Sequence, residues 1–408
     1  MDKLSGDSAR KPRALFLSPE APYPLTGGGP LRSASLLEYL SHRYAVHAIV
    51  FRQPGDPDPA LALPAGKVDR LDVVDLPFHA RHGMARAFRN AARLIRGAPP
   101  LLDRFAGFAP SIAKAIGENQ YEIAIIEHFW CAPYLEQVRA HAKQSILDLH
   151  NIESTWHHSV AASSGPVRAW ALRRFATASV ALERKWLPKF DLILVTSTPD
   201  AAIVREIGAN VPVVVYPNAL PGIATPKRND AEEIVFSGNL EYAPNITGIQ
   251  FFAASIWPSL RSRWPNLRWR IVGRNPAGVA RLVQDDSRIV LTGFVEDAVT
   301  ALAGARVAVV PLLSGSGTRV KILEAWAAGT PVVSTTIGAA GLEGANGEHF
   351  LIADDPRRFA DAVSRLLSSE QDRARLAAAG RRLFEQRYTW LAAWRSLDRV
   401  LGNPSPGR

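Results

Sequence analysis

The chain of 408 residues contains one cysteine, Cys131, and no apolar run long enough to cross a bilayer. A single cysteine excludes a disulfide framework and a cysteine-ligated zinc site, and it fits a reducing compartment. A membrane-spanning helix needs about 20 apolar residues. The first apolar stretch, residues 14–17, is too short for the core of a signal peptide, and prolines follow it. We therefore expect a cytoplasmic protein.

Two common nucleotide-binding motifs are also missing. No Walker loop occurs, because no glycine is followed after four residues by Gly-Lys-Ser or Gly-Lys-Thr. The cluster Gly27-Gly28-Gly29 lacks the glycine spacing of the dinucleotide fingerprint. It lies between the first predicted strand and a helix that is predicted to begin near Leu31. Ligands of α/β proteins bind at this carboxyl edge of the sheet, so the cluster is a candidate ligand loop.

Positive charge exceeds negative charge without forming a basic tail. The 48 Lys and Arg residues against 38 Asp and Glu residues give a net charge of +10, and residues 1–220 and 221–408 contribute +5 each. This even distribution argues against a nucleic-acid partner. Two segments are short of acids: residues 76–102 contain five arginines and no acid, and residues 154–190 contain six cations and only Glu183. They fit either solvated helix faces or a surface that faces anionic lipid or a phosphate-bearing substrate.

Hydrophobic residues make up 47% of the chain, which is enough for a substantial core and argues for two domains at this length. Short apolar runs typical of β-strands alternate with helical patterns, and they lack the polar alternation of a half-exposed strand. These runs are residues 14–18, 46–51, 123–126, 145–149, 192–195, 213–215, 233–236, 270–272, 289–292, 307–310 and 332–334. The alternation predicts α/β architecture with two Rossmann-like sheets.

Prolines and a glycine within residues 217–230 break any regular element and mark the domain boundary. We place the first domain at residues 1–218 and the second at residues 219–385. Thr389 is a suitable cap for a last helix with an apolar stripe, and we expect this helix, within residues 386–402, to return to the first domain. Residues 403–408 are expected to form a frayed tail.

The segment with the clearest chemistry is residues 307–334. An apolar strand is followed by a Ser-Gly-Ser-Gly-Thr loop at 314–318 and by a helix that carries Arg319, Lys321 and Glu324. Small residues let a ligand approach the loop backbone closely, and a helix start presents free N–H groups to an anion. Two cations there oppose the helix dipole unless an anion lies between them, so the pattern indicates phosphate binding. Alternatively, Lys321 and Glu324 form a simple i,i+3 pair and Arg319 is solvated.

Residues 317–334 read Gly-Thr-Arg-x-Lys-x-Leu-Glu-Ala-x-Ala-x-Gly-x-Pro-Val-Val-Ser. This run resembles the donor site of family-4 (group 1) retaining glycosyltransferases of the GT-B fold. The resemblance extends over essentially the whole chain, through residues 27–29, 148–151, 216–218, 236–245, 271–276 and 292–295. It implies two Rossmann-like, doubly wound domains that face each other across a cleft. Residues 1–218 would then bind the acceptor, and residues 219–385 would bind a nucleotide sugar.

The resemblance also implies roles for individual residues. Glu324 would accept hydrogen bonds from the ribose hydroxyls, because a carboxylate offers two oxygens to a vicinal diol. Arg319 and Lys321 would hold the diphosphate and would form the catalytic set together with the inter-domain histidine, His128. The other donor-binding candidates are Gly27, Gly28, Gly29, Gly238, Asn239, Gly273, Arg274, Phe294, Val295, Ser316, Gly317 and Thr318.

The sequence departs from the family pattern at two places. Ser316 stands where the family has the first glutamate of its Glu-x7-Glu pattern, which leaves the contacts to the transferred sugar undefined. Residues 238–248 lack the Arg and Lys that many family members have in this loop. We therefore expect Arg319 and Lys321 to bind the diphosphate in place of that loop.

No metal ion or other cofactor is expected, because two cations would already stabilise the leaving diphosphate. Asp148, His150 and Glu153 have a spacing that fits no common metal pattern. The expected reaction is retaining transfer of a hexosyl or related sugar to a carbohydrate or lipid-linked acceptor, in cell-surface polysaccharide or glycolipid assembly. The protein would act in the cytoplasm, or peripherally on the inner face of the plasma membrane. Two alternatives remain: a nucleotide-sugar epimerase of the same fold and a non-catalytic nucleotide-sugar-binding subunit.

Overall fold

The computed structural model describes residues 11–79, 83–227, 229, 231–281, 286–315 and 319–402. Within these residues the strands of the first sheet are β1 (Arg13–Ser18), β2 (Ala45–Arg52), β3 (Arg70–Asp75), β4 (Tyr121–Glu127), β5 (Ala142–Asp148), β6 (Leu192–Val195) and β7 (Val213–Val215). Those of the second are β8 (Ala231–Ser237), β9 (Arg268–Val272), β10 (Ile289–Gly293), β11 (Ala305–Val310), β12 (Val332–Ser334) and β13 (Leu351–Ile352).

Helices connect the strands in both halves. Those of the first half are α1 (Gly28–Arg43), α2 (Pro59–Ala62), α3 (Gly83–Arg96), α4 (Pro100–Arg104), α5 (Ala109–Ile116), α6 (Leu135–Val138), α7 (Glu153–Ala162), α8 (Pro166–Trp186) and α9 (Thr198–Ile207). Those of the second are α10 (Ala243–Phe251), α11 (Trp257–Arg263), α12 (Ala277–Ala280), α13 (Ala298–Ala303), α14 (Val320–Ala327), α15 (Thr336–Ala339), α16 (Pro356–Ser368), α17 (Glu370–Arg387) and α18 (Trp390–Leu401). Short 3₁₀ segments occupy Phe129–Tyr134 and Leu187–Lys189, and a π-helical segment at Phe252–Ile256 joins α10 to α11.

Both sheets are buried on both faces, which explains why the strand sequences lack polar alternation. In β1, Leu15 and Leu17 pack into the core on one face, while Ala14 and Phe16 pack into the core on the other. All of the strands predicted from the sequence are present, most of them longer by one to three residues. The prediction of α/β architecture with two Rossmann-like sheets is therefore confirmed.

The sequence missed two strands and placed one helix start too late. Strand β3 lies at the edge of its sheet and contains three charged residues among six, so its apolar run is interrupted. Strand β13 has only two residues. Helix α1 begins at Gly28, not near Leu31, because glycines contribute no apolar periodicity.

The strand order places one crevice in each sheet. All paired strands are parallel, and the orders are β3-β2-β1-β4-β5-β6-β7 and β10-β9-β8-β11-β12-β13. The chain reverses its direction of travel across the first sheet between β1 and β4, and across the second between β8 and β11. In doubly wound folds ligands bind at the carboxyl ends of the strands that flank such a switch point.

The last helix packs against the first half of the chain. Thr389 caps α18 by accepting a hydrogen bond from the Ala392 N–H. The Trp394 indole N–H donates to the Ser35 carbonyl at 3.1 Å, and the Tyr39 hydroxyl donates to Asp398 at 3.0 Å. Helix α18 thus lies on α1, while the domain limits at residues 218 and 385 remain predictions. Residues 403–408 lie outside the described part of the chain.

Candidate active site between the two sheets

Loops at the carboxyl edges of the two sheets contact each other. The Ser159 hydroxyl of α7 accepts from the Gly315 N–H at 2.8 Å and donates to the Gly315 carbonyl at 3.2 Å. The Trp156 indole N–H donates to the Tyr242 hydroxyl at 3.1 Å. The two switch-point crevices therefore lie on facing sides of one interface.

The side chain of Lys321 extends from α14 to the carboxyl end of β8, at the switch point of the second sheet. Its ammonium donates to the Ser237 carbonyl at 3.0 Å and to Asn245 Oδ1 at 2.7 Å, and it lies 4.3 Å from the centre of the Phe236 ring. An ammonium has three N–H donors, so these described partners leave one for a ligand. Burial lowers the pKa of Lys321 to about 7.

Gly238 and Gly273 allow the loops around this ammonium to approach closely. Gly238 has a φ of 153°, and a Cβ there would lie 2.7 Å from Asn245 Nδ2 and 2.9 Å from Lys321 Nζ. A Cβ at Gly273 would collide with the Gly238 carbonyl. The structure therefore brings these two predicted glycines together with Lys321.

Glu324 faces the same strand end from the next turn of α14. The Ser237 hydroxyl donates to Glu324 Oε2 at 3.2 Å, and burial raises the pKa of the Glu324 carboxyl to about 7. Lys321 and Glu324 thus both contact β8, and within the described chain they do not form a direct ion pair. The alternative of a simple i,i+3 pair between Lys321 and Glu324 is therefore wrong.

Arg319 is the N-cap residue of α14 and is only 6% exposed, so it is not a solvated side chain. Its Nε donates to the Ile337 carbonyl at 3.3 Å, and its guanidinium lies against Gly315, where a Cβ would be 3.0 Å from Nη1. Burial lowers its pKa, but a guanidinium remains charged at neutral pH. The predicted residues Ser316, Gly317 and Thr318 lie outside the described residues.

Arg274 and Phe294 lie together at the rim of this crevice. The Arg274 guanidinium is 5.6 Å from the centre of the Phe294 ring and donates to the Thr26 carbonyl of the first half. Val295 packs against the core of the second sheet. Asn239 is held by its own loop, since its carbonyl accepts from Asn245 Nδ2 at 2.7 Å.

The glycine cluster of the first half lies beside the start of α14. A Cβ at Gly28 would be 3.4 Å from Val320 Cγ2, whereas nothing lies within 4 Å of that position at Gly27. A Cβ at Gly29 would collide with the carboxylate of Glu20. The cluster therefore lets α1 begin next to both the Glu20 carboxylate and helix α14.

His128 follows β4 directly and is buried at the facing crevice. Its φ of 59° is unusual for a residue other than glycine. Its ring stacks on Trp130, with centroids 4.1 Å apart, and lies 3.6 Å from the ring of His150. Burial lowers the pKa of His128 well below its usual value, and the positive charges of His150 and Arg32 act in the same direction. His128 is therefore neutral at physiological pH.

His150 belongs to a buried network of charges. Its Nε2 lies 3.3 Å from Asp148 Oδ2 and 3.5 Å from Glu127 Oε1. Burial alone would lower the pKa of His150, but the two carboxylates raise it to about 9. Arg32 donates to both oxygens of Asp148, at 2.8 and 2.5 Å. Against the opposing effect of burial, Arg32 and His150 lower the pKa of Asp148 to about 2.

Glu127, Asp148 and His150 place three potential metal ligands within 4.8 Å of one another. The group does not fit a metal ion well, because both Asp148 oxygens already accept from Arg32 and His150 is protonated at neutral pH. Glu153 lies outside this group and accepts from the Trp130 indole N–H at 2.7 Å. Burial raises the pKa of Glu153 to about 7.

A depression of about 820 Å³ lies at the opposite edge of the first sheet, where the amino ends of the strands meet. Its lining includes Lys11, Arg13, His47, Tyr121 and Lys143. None of the predicted site residues lines it, and ligands of doubly wound folds bind at the carboxyl ends of the strands. We therefore place the candidate active site at the facing crevices.

The sequence missed several residues of these crevices. Glu127 immediately precedes His128 and could have been found as an acid at a strand end, and Asn245 lies in a segment that already resembled the family. The sequence provided only a weak indication of a role for Arg32, namely its position close to the glycine cluster at 27–29. Nothing in the sequence indicated that Trp156 and Tyr242 would meet.

Comparison with known proteins agrees with this geometry. Residues 231–369 match the family model described as glycosyl transferases group 1. The chain is 22% identical over 367 residues to an "Uncharacterized 44.6 kDa protein in cps region" of Klebsiella pneumoniae, covering 86% of this chain and 90% of that protein. Sucrose-phosphate synthase from Thermosynechococcus elongatus superposes with a TM-score of 0.73 at 18% identity, over 96% of this chain and 98% of that one. TarM from S. aureus superposes with a TM-score of 0.68 at 10% identity, over 96% and 100%.

The two facing Rossmann-like sheets are thus those of a GT-B protein. Residues 231–369 of the second half also match the group 1 glycosyltransferase family model, so the chain combines a GT-B fold with a segment similar to that family. None of the helices in the described part of the chain has the length and apolar character needed to cross a membrane.

Proposed function

We propose that this glycosyltransferase moves a hexosyl or related sugar from a nucleoside diphosphate donor to an acceptor hydroxyl, with retention of the anomeric configuration. The acceptor is a carbohydrate or a lipid-linked carbohydrate, and the protein acts peripherally on the inner face of the plasma membrane. The reaction requires no metal ion or other cofactor.

The observation that carries this proposal is the arrangement of Lys321, Arg319 and Gly238 at the switch point of the second sheet. Lys321 keeps one donor for a ligand beside a glycine backbone that a Cβ would obstruct. The buried Arg319 guanidinium adds a second positive charge at the start of α14. Cations at a helix N-terminus suit a diphosphate, because the ligand's negative charge offsets both the dipole and the cations.

In the proposed reaction the bond between the anomeric carbon and the diphosphate oxygen breaks, and the acceptor oxygen bonds to the same face of that carbon. The acceptor proton passes to the departing diphosphate, so no further reactant is needed. Lys321 and Arg319 stabilise the negative charge that develops on the leaving group. The facing loops exclude water, which limits hydrolysis of the donor.

Two further residues complete the proposed site. Glu324 accepts hydrogen bonds from the ribose, since the Ser237 hydroxyl occupies only one of its oxygens in the described structure. His128 is neutral, so its imidazole can exchange a hydrogen bond with a hydroxyl of the transferred sugar without repelling the positive charge that develops on the ring.

The relatives indicate where to begin the search for substrates. TarM was solved with UDP, fondaparinux and α-GlcNAc-glycerol, and HepE from Anabaena was solved with UDP and glucose. The Klebsiella relative is named for a cps region. These names support a uridine diphosphate sugar as the first donor to test and polysaccharide assembly as the first process.

Donor binding provides the direct test. We expect UDP to bind in calorimetry, and we expect Arg319→Ala and Lys321→Ala each to weaken it tenfold to a hundredfold, since a charge-assisted hydrogen bond contributes about 1.5–3 kcal/mol. The control is Arg357→Ala, which removes an exposed cation from the same half of the chain.

Unchanged affinity in both site variants would contradict the proposed diphosphate site. Slow release of nucleoside diphosphate from a donor sugar, in the absence of acceptor, separates a transferase from a non-catalytic binding subunit, which would release none. An epimerase would instead convert the donor sugar and leave its bond to the diphosphate intact.

A further inference from the structure

Helix α3 exposes its apolar face to solvent. Met84, Phe88 and Ile95 are 75%, 71% and 82% exposed, and Ala91 is exposed between them. Positions 84, 88, 91 and 95 follow the i, i+4, i+7, i+11 spacing and therefore form one stripe along the helix. A surface helix of a globular protein normally turns such a stripe towards the core. Here the stripe faces outward.

Ion pairs on the opposite face hold the helix in this orientation. Arg93 is buried, and its Nε donates to Asp103 Oδ2 of α4 at 2.7 Å. Arg96 donates to Asp103 Oδ1 at 3.1 Å. Rotating the apolar stripe inward would break the Arg93–Asp103 pair and leave the partly buried Asp103 without this cation. The outward stripe is therefore a property of the packed helix.

The neighbouring helix α8 adds aromatic and basic character. A Cβ at Gly97, just after α3, would lie 3.9 Å from Ala178 of α8, so the two helices are in contact. Near the start of α8, Val167 and Trp170 are exposed. The same part of α8 carries exposed cations at Arg168, Arg173 and Arg174, and residues 154–182 contain no acid. We call the stripe of α3 and these residues of α8 the apolar-basic surface.

We propose that the apolar-basic surface binds an anionic phospholipid bilayer and inserts the apolar side chains of α3 among the lipid chains. Arginines attract anionic headgroups, and tryptophan favours the membrane–water interface. Insertion of Met84, Phe88 and Ile95 removes apolar surface from water. Charge alone would give only adsorption that salt abolishes, whereas inserted side chains add a contribution that salt does not screen.

The surface is connected to the candidate active site through α7 and α8. Ser159 of α7 bonds Gly315 in the donor-side loop, and the exposed Val167 lies eight residues further along the chain. Binding to a bilayer would therefore hold the facing crevices close to the membrane, where the hydroxyl of a lipid-linked acceptor lies. Bilayer binding by this surface deepens the membrane part of the proposed function and rests on it, whereas nucleotide binding at the second sheet does not depend on bilayer binding.

Vesicle co-sedimentation tests the proposal on the full chain. We expect binding to vesicles of phosphatidylglycerol and phosphatidylcholine, with a measurable fraction retained when salt is raised from about 0.1 M to about 1 M, where the Debye length falls from about 10 Å to about 3 Å. The variant Met84→Ser/Phe88→Ser/Ile95→Ser should lose at least about tenfold in partitioning. The matched control is Leu61→Ser/Leu391→Ser, because these leucines are also exposed but lie outside the apolar-basic surface.

The fluorescence of Trp170 provides an independent measurement of bilayer binding. Its fluorescence should shift to the blue when anionic vesicles are added, and Trp170→Phe should remove that part of the signal. The proposal is overturned if the wild-type protein does not bind anionic vesicles or if the triple variant binds them as well as the wild type. It is also overturned if the stripe instead mediates a concentration-dependent dimer that the triple variant abolishes. Calorimetry with UDP on the same variants reports the proposed function separately, so the two failures are distinguishable.

Discussion

At the switch point of the first sheet, Arg32, Asp148 and His150 form buried ion pairs. At the switch point of the second sheet, the described partners of Lys321 and Glu324 are neutral groups of β8 and α10. The pKa values differ accordingly. In the first cluster the pKa of Asp148 is lowered to about 2 and that of His150 is raised to about 9, so both stay charged. In the second the pKa of Lys321 is lowered to about 7 and that of Glu324 is raised to about 7, so both shift towards the neutral form.

The difference indicates two kinds of site. In the first cluster Asp148 pairs with both Arg32 and His150, so the buried charges offset one another. These pairs hold the His150 ring next to the His128 ring. The second holds charges that burial disfavours, and a bound diphosphate would restore the charged state of Lys321. We therefore interpret the first cluster as a support within the protein and the second as the proposed ligand site. The following predictions test this distinction.

The largest expected effect is loss of the support in the first cluster. Arg32→Ala leaves Asp148 buried with only His150 as a cationic neighbour, and removing one partner of a buried ion pair costs about 3–5 kcal/mol. Urea unfolding should show that loss in the free energy of unfolding. The control is Arg52→Ala, which removes a similar forked contact to Asp75 at the surface and should cause no measurable change. Equal stability of the two variants would show that the buried pair supports nothing.

A medium effect is expected from Gly238→Ala in the second cluster. The new Cβ would press on Asn245 and Lys321, so we expect at least about a tenfold loss of UDP affinity. Gly208→Ala is the matched control, because Gly208 also has a positive φ but nothing within 4 Å of its Cβ position. Both variants should lose about 1 kcal/mol of stability through backbone strain. Only Gly238→Ala should weaken donor binding, and similar affinities in the two would separate Gly238 from the donor site.

The smallest effect is the pH dependence of donor binding. Phosphate favours protonated Lys321, so the dissociation constant should rise above about pH 7, by at most about tenfold per pH unit. Ionised Glu324 is the better acceptor for ribose hydroxyls, so affinity should also fall below about pH 7. Calorimetry with a nucleotide sugar, whose diphosphate diester keeps a constant charge in this range, should therefore show an optimum near pH 7.

Two variants separate the contributions to that optimum. Lys321→Arg keeps the positive charge at all accessible pH values, so only the acidic loss should remain. Glu324→Gln does not titrate, so only the alkaline loss should remain. A profile that neither variant alters would assign the titration to other groups and would weaken the contrast between the two clusters.

Local features of the molecule were predictable from the sequence. The buried strands appear as apolar runs because parallel strands are covered on both faces. Strand β3 was not predicted, because its position at the edge of the sheet tolerates charged residues that interrupt the apolar run. The burial of Arg319 was not predicted either, because the sequence next to a glycine-rich loop does not distinguish a solvated cation from a buried one.

Contacts between distant segments could not be predicted in this way. Arg32 meets Asp148 across 116 positions in the chain, and the close approach of the His128 and His150 rings depends on the adjacency of β4 and β5. The arginines of residues 76–102 were visible from the start as a basic segment. The sequence did not show that Arg93 is buried and that the apolar stripe of α3 is exposed, because both depend on how α3 packs.

The sequence by itself determined the two α/β halves and the resemblance to a glycosyltransferase, because these depend on local periodicity and on residue types at short spacing. The tertiary structure decided which buried charges are paired with opposite charges of the chain and which contact only neutral groups among the described residues. It also decided that α3 turns its apolar side outward. Burial and charge compensation arise from segments far apart in sequence, and only folding brings them within a few ångströms of each other.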